Sequence, residues 1–164
     1  DYRSSRGLGD VYKRQSIGYG YLMHTNLLQI ARAYSVFANN GFRVEPKIIY
    51  GSETVLKKVI SADVANYVLE SLRETITDGT ALNLKDSPIE IAGKTGTTEK
   101  YIVGEGYVSG KYISSFASIF PYDDPKFIVI VSIDEPDPDT YFAGSVAAPF
   151  VKNISNQIIS FGRE

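Results

Sequence analysis

Cysteine is absent from the 164-residue sequence, and histidine occurs once, at His24. The lack of cysteine excludes disulfides, a thiolate nucleophile and cysteine-ligated zinc. A histidine-based metal cluster or a Ser-His-Asp triad would depend on His24 alone. Because a lone histidine just before a predicted helix is more often a surface or capping residue, we assign His24 no chemical role.

Long apolar runs and an excess of one charge are also missing. No stretch approaches the roughly 18 consecutive apolar residues of a membrane span, and no secretory leader opens the sequence. The formal net charge is −2 with both signs interspersed, so neither nucleic acid nor anionic lipid is an expected partner. Apolar residues make up 43% and charged residues 22%, as in folded soluble domains. We expect a folded body, with any membrane anchor outside this sequence.

Residues 1–15 differ in sequence pattern from the rest of the chain, because they show neither helical nor strand periodicity. They resemble translated adaptor sequence, and a flexible native tail is the alternative. We therefore predict a non-native or disordered tail at residues 1–15 and a domain body at residues 16–164.

Two stretches show the apolar spacing of amphipathic helices. The first begins after Thr25 or Asn26, either of which can cap it, and ends at Asn39-Asn40-Gly41. The second begins after Ser61 and ends before Gly79. Its apolar face is predicted to consist of Val64, Val68, Leu72 and Ile76.

Apolar runs between turn residues predict strands. Residues 47–50 and 54–60 flank Gly51-Ser52 and predict a small hairpin. Three further strands are predicted at residues 89–95, 112–120 and 127–131.

The last of these strands is apolar throughout, which predicts a central strand covered on both faces. A short turn at residues 122–125 makes it an antiparallel neighbour of the strand before it. The predicted fold is α+β, with an antiparallel sheet flanked by helices. A terminal helix would cover the sheet with Ala147, Phe150, Val151, Ile154, Ile158 and Phe161.

The segment Lys94-Thr95-Gly96-Thr97-Thr98 is the most informative one, and it lies at the end of a predicted strand. A phosphate-binding loop would need a glycine five positions before Gly93 and a helix after the motif. Pro88 occupies that position, and residues 99–110 have the composition of a glycine- and tyrosine-rich loop, so the nucleotide interpretation is disfavoured. A plain polar strand end is a second alternative, since such residues often occur together by chance.

Lys94-Thr95-Gly96 resembles the Lys-Thr-Gly element of the penicillin-interacting serine enzymes, which include penicillin-binding proteins and serine β-lactamases. Upstream, Gly18-Tyr19-Gly20 and the segment 25–34, with Asn39-Asn40-Gly41, resemble the Gly-x-Gly, Thr-Pro-Leu-Gln-Leu-Ala and Ala-Asn-Gly-Gly pattern of penicillin-binding transpeptidases. Asn26 stands where that family has proline at the first helical position, which predicts a weaker helix start. Downstream, the family's last two strands and terminal helix are matched in order by residues 115–121, 133–136 and 144–150.

The match covers about residues 16–161 and is closest to the class B, monofunctional enzymes. It implies the C-terminal part of the transpeptidase fold shared by penicillin-binding proteins and serine β-lactamases. It also implies candidate catalytic residues, Lys94, Thr95, Gly96 and Thr97, and candidate substrate-binding residues, Lys94, Thr95, Thr97 and Thr98.

The implied roles follow from acyl-transfer chemistry. Lys94 would attract the terminal carboxylate of the substrate, and the hydroxyls of Thr95 and Thr97 would hydrogen-bond it. Gly96 would let the substrate backbone lie against the strand. The backbone N–H of Thr97 would form half of an oxyanion hole, a contribution of ~3 kcal/mol.

The family's reaction begins at a serine in Ser-x-x-Lys and uses a second motif, Ser-x-Asn. Neither spacing occurs at any serine here. We therefore expect both in a preceding part of the parent protein, and we expect this chain alone to be inactive and prone to aggregation or partial order.

The parent would cross-link peptidoglycan stem peptides at D-alanyl-D-alanine and bind β-lactams, with no metal or organic cofactor implied. It would lie in the bacterial cell membrane with this domain outside the cytoplasm, among other wall-synthesis membrane proteins. A non-catalytic β-lactam-sensing or wall-binding module and a serine β-lactamase remain as alternatives.

Two further groups of residues have weaker signals. Glu99, Lys100 and Tyr101, with the region of Tyr107 and Tyr112, form a candidate substrate-facing loop after the motif. Asp134-Glu135 is an acidic pair at a predicted strand end, where capping a loop is favoured over glycoside cleavage.

Overall fold

The computed structural model describes residue 15 and residues 25–161. Predictions on Gly18-Tyr19-Gly20, on His24 and on most of the tail at residues 1–15 lie outside the described residues. The order of elements is α1 (Leu27–Ala38), β1 (Phe42–Val44), β2 (Leu56–Lys58), α2 (Ala62–Thr77), a 3₁₀ turn (Leu82–Leu84), β3 (Ala92–Ile102), β4 (Gly106–Phe120), β5 (Phe127–Asp134), α3 (Ala143–Val146) and α4 (Ala148–Phe161).

Helix α1 begins one residue later than the comparison with a proline-initiated helix predicts. Asn26 is the N-cap and Leu27 the first helical residue. The Asn26 Oδ1 accepts the Gln29 N–H at 2.8 Å, and the Gln29 Oε1 accepts the Asn26 N–H at 3.0 Å. This reciprocal capping box satisfies two backbone donors at the helix start. The weakening expected from the missing proline stays a prediction.

The predicted bounds of helix α2 are confirmed, but the predicted set of residues on its buried face is not. The Ser61 side chain accepts the Val64 N–H, as predicted. Val64 itself is 50% exposed, so it does not belong to the core face. Spacings of four, three and four residues follow the helix better than a repeat of four, because a turn has 3.6 residues. The buried positions are Ala65, Leu69, Leu72 and Ile76.

The small hairpin is present, but only one of its two predicted strands is correct. β1 pairs antiparallel with β2, with Phe42 opposite Lys58. The Gly41 carbonyl accepts the Val59 N–H at 2.9 Å, which closes the hairpin at its base beside the helices. Residues 47–50 lie beyond the paired strands as turn and irregular structure, and Ile48 and Tyr50 are fully exposed.

The three-stranded sheet is antiparallel in the order β3-β4-β5, so β4 is central. The prediction that residues 127–131 form the central strand is therefore wrong, whereas the antiparallel neighbourhood of β4 and β5 is confirmed. The apolar run has another cause. Ile128 packs against the cluster of α1 and α2, and Val129 and Val131 pack against the cluster on the opposite face.

Strands β3 and β4 form one long hairpin where a loop at residues 99–110 was predicted. The turn between them lies at residues 103–105, with Gly104 and Gly106 at φ +91° and +84°. Glycine adopts this left-handed backbone without a steric penalty. Tyr101 and Tyr107 sit opposite each other with ring centroids 5.3 Å apart, so the tyrosines stabilise a strand pair.

Helices cover both faces of the sheet, which confirms the α+β prediction. On one face α4 and the end of α2 pack around Phe116 and Phe120, both fully buried. On the other face α1 and α2 pack around Ala92 and Ile119. Of the α4 residues predicted to cover the sheet, Val151 is buried, whereas Phe161 is 77% exposed. Within residues 25–161, none of the helices has the length and apolarity needed to cross a membrane.

Many large apolar side chains of the described residues face outward. Leu28, Ile49 and Tyr67 are 60%, 78% and 71% exposed. Because exposed apolar surface drives association, we expect the isolated chain to self-associate and to melt without a cooperative transition. Sedimentation velocity and scanning calorimetry test this. A soluble monomer with one sharp transition would contradict it.

Candidate active site

The Lys-Thr-Gly-Thr segment lies within β3, at an edge of the sheet. Successive side chains of a strand point to opposite faces. Lys94 and Gly96 therefore share the face that α1 and α2 cover at the Ala92 end, while Thr95 and Thr97 share the face of α3 and α4. The prediction that the motif ends a strand is wrong, because β3 continues to Ile102.

The backbone of β3 has one paired side and one open side in the described part of the chain. The Glu135 N–H donates to the Tyr112 carbonyl at 2.9 Å, in register with the β4–β5 pairing. Along an antiparallel strand, the backbone groups of successive residues point alternately to the two neighbouring strands. Since Tyr112 bonds toward β5, the odd-numbered residues of β4 bond toward β3, and Ser115 lies opposite Gly96 there. It follows that the N–H and C=O groups of Thr95 and Thr97 point out of the sheet edge.

The ammonium of Lys94 lies at this same edge. The Lys94 side chain is exposed, and its Nζ donates to the Thr95 carbonyl at 2.9 Å. That carbonyl is one of the outward-pointing groups, so the bond agrees with the ladder alternation. Among residues 25–161, no carboxylate pairs with Lys94. The edge therefore carries a cation whose charge is not neutralised by the described chain.

The hydroxyls of Thr95 and Thr97 are each held by a neighbouring segment. The Oγ1 atoms of Thr95 and Thr80 lie 2.6 Å apart. The Thr97 Oγ1 accepts the Ala143 N–H at 3.0 Å, at the start of α3. A hydroxyl that accepts a hydrogen bond keeps its own proton for another acceptor. Thr98, the fifth predicted residue, lies on the Lys94 face and its hydroxyl donates to the Glu99 carbonyl at 3.3 Å.

Two glycines of β3 differ in what surrounds them. A Cβ on Gly93 would lie 2.6 Å from the Ala117 carbonyl oxygen and 2.7 Å from the Phe116 ring. Among residues 25–161, a Cβ on Gly96 would meet nothing closer than the Ser115 carbonyl oxygen at 4.0 Å. Packing among the described residues therefore requires glycine at position 93 and not at position 96, where the face shared with Lys94 is open.

The segment before α3 runs beside the motif. The Ser114 hydroxyl donates to the Tyr141 carbonyl, and the Asn83 Nδ2 donates to the Gly144 carbonyl at 2.8 Å. The rings of Tyr112 and Tyr141 stack with their centroids 3.9 Å apart. Loss of water around the Tyr112 phenol raises its pKa. These contacts hold the segment before α3 against β4 and hold α3 against the 3₁₀ turn, and Phe142 between them is 63% exposed.

The candidate loop residues after the motif belong to the far end of the hairpin. The Lys100 Nζ donates to Asp134 at 2.7 Å and to Glu135 at 2.8 Å. These bonds raise the pKa of the Lys100 ammonium, and Lys100 lowers the pKa of the Glu135 carboxyl. The acidic pair at the end of β5 thus pairs with β3.

Thr80 bonds to the motif strand and Gly144 lies against Thr80, and neither was predicted as a site residue. Thr80 lies in the irregular segment between α2 and the 3₁₀ turn, where no periodicity marks it. A Cβ on Gly144 would lie 2.1 Å from the Thr80 carbonyl oxygen, so glycine allows the two segments to touch. Only the tertiary fold brings these residues together.

A nucleotide site is incompatible with this geometry. A phosphate loop joins a strand to a helix whose N-terminus holds the anion. Here the strand continues through Lys94 and Thr95 as far as Ile102 and returns as β4.

An antiparallel sheet between helices is the fold predicted from the resemblance to the penicillin-interacting serine enzymes, and in the described part of the chain Lys-Thr-Gly-Thr lies on an edge strand of that sheet. A family model described as the penicillin binding protein transpeptidase domain matches residues 5–156. The chain belongs to this family.

Named relatives agree with the family assignment. The probable peptidoglycan D,D-transpeptidase PenA of Neisseria flavescens is 33% identical over 147 residues, which cover 87% of this chain and 36% of the relative. The peptidoglycan D,D-transpeptidase FtsI of Buchnera aphidicola is 30% identical over 151 residues, which cover 88% and 26%. The chain thus spans about a quarter to a third of these relatives.

Solved structures show the same fold. The apo transpeptidase domain of Burkholderia pseudomallei penicillin-binding protein 3 matches with a TM-score of 0.70 and 30% identity, over 84% of this chain and 43% of that one. Penicillin-binding protein 3 of Mycobacterium tuberculosis, complexed with aztreonam, matches with a TM-score of 0.70 and 28% identity, over 85% and 36%.

The two glycines of β3 provide a matched pair of substitutions. We expect Gly93→Ala to destabilise the domain by about 1–3 kcal/mol, because the added methyl overlaps Phe116 and Ala117. Gly96→Ala should change the free energy of unfolding by less than about 0.5 kcal/mol. Denaturant unfolding of the full-length parent protein measures both. If Gly96→Ala destabilised the protein as much as Gly93→Ala, the conclusion that the space around Gly96 is open would be contradicted.

Proposed function

We propose that this chain is part of a longer serine-type D,D-transpeptidase and supplies the cradle for the substrate's carboxylate end. The observation that carries the proposal is the open edge of β3. There the Lys94 ammonium, which pairs with no carboxylate of residues 25–161, lies beside the outward backbone groups of Thr95 and Thr97.

The charge of the edge suits an anionic peptide end. Lys94 supplies the positive potential, and Thr95 and Thr97 supply hydroxyl protons from the opposite face of the strand. An ammonium and a carboxylate attract each other strongly where water is partly excluded. A stem peptide that ends in a free carboxylate satisfies all three groups.

The shape of the edge suits an extended peptide. A substrate backbone laid beside β3 can pair with the outward groups of Thr95 and Thr97, as a strand added to a sheet. The open space at Gly96 admits it without a clash. The Thr97 N–H then points to the region of the scissile carbonyl and supplies one oxyanion donor, a contribution of ~3 kcal/mol.

The nucleophile is assigned to another part of the protein. No serine of this chain lies in Ser-x-x-Lys or Ser-x-Asn. The serine hydroxyl would attack the carbonyl of the D-alanyl-D-alanine peptide bond, form an acyl-enzyme and release the terminal D-alanine. An acceptor amine would then take the acyl group and free the serine hydroxyl. β-Lactams would acylate the same serine. The chain alone is then inactive, and the parent would lie in the bacterial membrane with this domain outside the cytoplasm.

Two other functions of the same fold are separable from this one. A β-lactam-sensing or wall-binding module would keep the cradle without turnover, and a serine β-lactamase would release its acyl group rapidly. The gene sequence upstream of this chain tests the first: an intact frame without Ser-x-x-Lys and Ser-x-Asn would contradict the transpeptidase. Rapid hydrolysis of penicillin by the parent would favour the β-lactamase.

Removal of the Lys94 ammonium tests the cradle. In the full-length parent, Lys94→Ala should slow labelling by fluorescent penicillin by roughly 10- to 100-fold, because a hydrogen bond to a charged group contributes about 1.5–3 kcal/mol. The rate of labelling at limiting penicillin is the measurement.

Lys126 provides the matched control, because its ammonium pairs with Asp124 in an exposed turn. Lys126→Ala should leave the labelling rate within about twofold. Unchanged labelling of the Lys94→Ala protein would contradict the role of Lys94 in the cradle.

A further inference from the structure

Thr80 is the one residue outside β3 whose side chain is bonded to a predicted cradle hydroxyl in the described structure. Its Oγ1 lies 2.6 Å from the Thr95 Oγ1, and either oxygen can be the donor. Thr80 follows α2 by three residues and is itself exposed at the strand edge.

The direction of this bond decides whether Thr95 can bind an anion. Each threonine hydroxyl has one proton. If Thr95 donates to Thr80, no proton is left for a carboxylate. If Thr80 donates to Thr95, the Thr95 proton is free to point outward. Thr97 already has the second arrangement, because its oxygen accepts the Ala143 N–H at 3.0 Å.

We propose that Thr80 is a positioning residue that donates to Thr95 and turns the Thr95 proton toward the carboxylate of the substrate. This inference rests on the proposed function, since it concerns the same cradle. A carboxylate accepts hydrogen bonds and does not donate them when ionised, so its arrival selects the state in which Thr80 is the donor. The two hydroxyls then polarise each other along one chain of bonds.

The backbone around Thr80 is held from both sides. The Ala81 N–H donates to the Thr75 carbonyl at 3.1 Å, and Ala81 is only 1% exposed. On the other side, Gly144 lies against the Thr80 carbonyl. The Gly144 carbonyl accepts a hydrogen bond from the Asn83 side-chain amide at 2.8 Å. The Thr80 hydroxyl is therefore placed by buried and bonded neighbours.

The test compares benzylpenicillin with its methyl ester in the full-length parent. The ester lacks the anionic carboxylate, so a residue that acts through this group affects the acid and spares the ester. The measured quantity is the ratio of the second-order acylation constants, acid over ester. We expect Thr80→Val to lower this ratio about three- to tenfold, the effect of one neutral hydrogen bond.

Three variants complete the design. Thr80→Ser keeps the hydroxyl and should restore the ratio. Thr77→Val makes the same change near the end of α2, where the hydroxyl faces the Glu74 carbonyl, and should leave the ratio unchanged. Thr80→Val added to Thr95→Val should lower the ratio no further than Thr95→Val alone, because Thr80 acts through Thr95.

The outcomes separate this inference from the proposed function. If Lys94→Ala and Thr95→Val lower the ratio and Thr80→Val does not, the role of Thr80 is overturned and the cradle stands. If none of the three lowers it, the cradle itself is overturned. Equal slowing of acid and ester by Thr80→Val, or additive effects of Thr80→Val and Thr95→Val, would also overturn the positioning role.

Discussion

The open edge of β3 is the constraint on which the candidate site depends. Antiparallel pairing with β4 uses the backbone groups of Gly96 and leaves those of Thr95 and Thr97 directed outward. The same alternation sends the Lys94 side chain to one face of the sheet and the two threonines to the other. An edge strand normally invites unwanted pairing, and we propose that the exposed groups of this one pair with an extended, negatively charged peptide end.

Tertiary contacts complete what the strand begins. The cradle hydroxyls are held from segments distant in sequence, Thr95 by Thr80 and Thr97 by the N–H of Ala143. Gly144 allows these two segments to meet. The site is thus a strand edge whose polar groups are oriented by a turn after α2 and by the start of α3, while hydrophobic packing on both faces of the sheet fixes their spacing.

Local signals were sufficient for the helices and for the motif. Asn26 and Ser61 cap α1 and α2, because capping is decided within four residues. Strand order was not predictable from the apolar pattern. Residues 127–131 of β5 are all apolar because helices cover both faces of the sheet, although β5 lies at an edge of the sheet that residues 25–161 form. The contact of Thr80 with Thr95 depends on the folded chain, so no local pattern announces it. The tail at residues 1–15 and the role of each site residue stay predictions.

The central claim is that β3 binds the carboxylate end of a peptide at its open edge. A crystal structure of the full-length parent acylated by benzylpenicillin tests it most directly. We expect the carboxylate within hydrogen-bond distance of the Thr95 and Thr97 hydroxyls, at the strand edge where the Lys94 ammonium lies, with the acyl oxygen facing the Thr97 N–H. A carboxylate turned into solvent, or a β3 edge paired with another strand of the same protein, would contradict it.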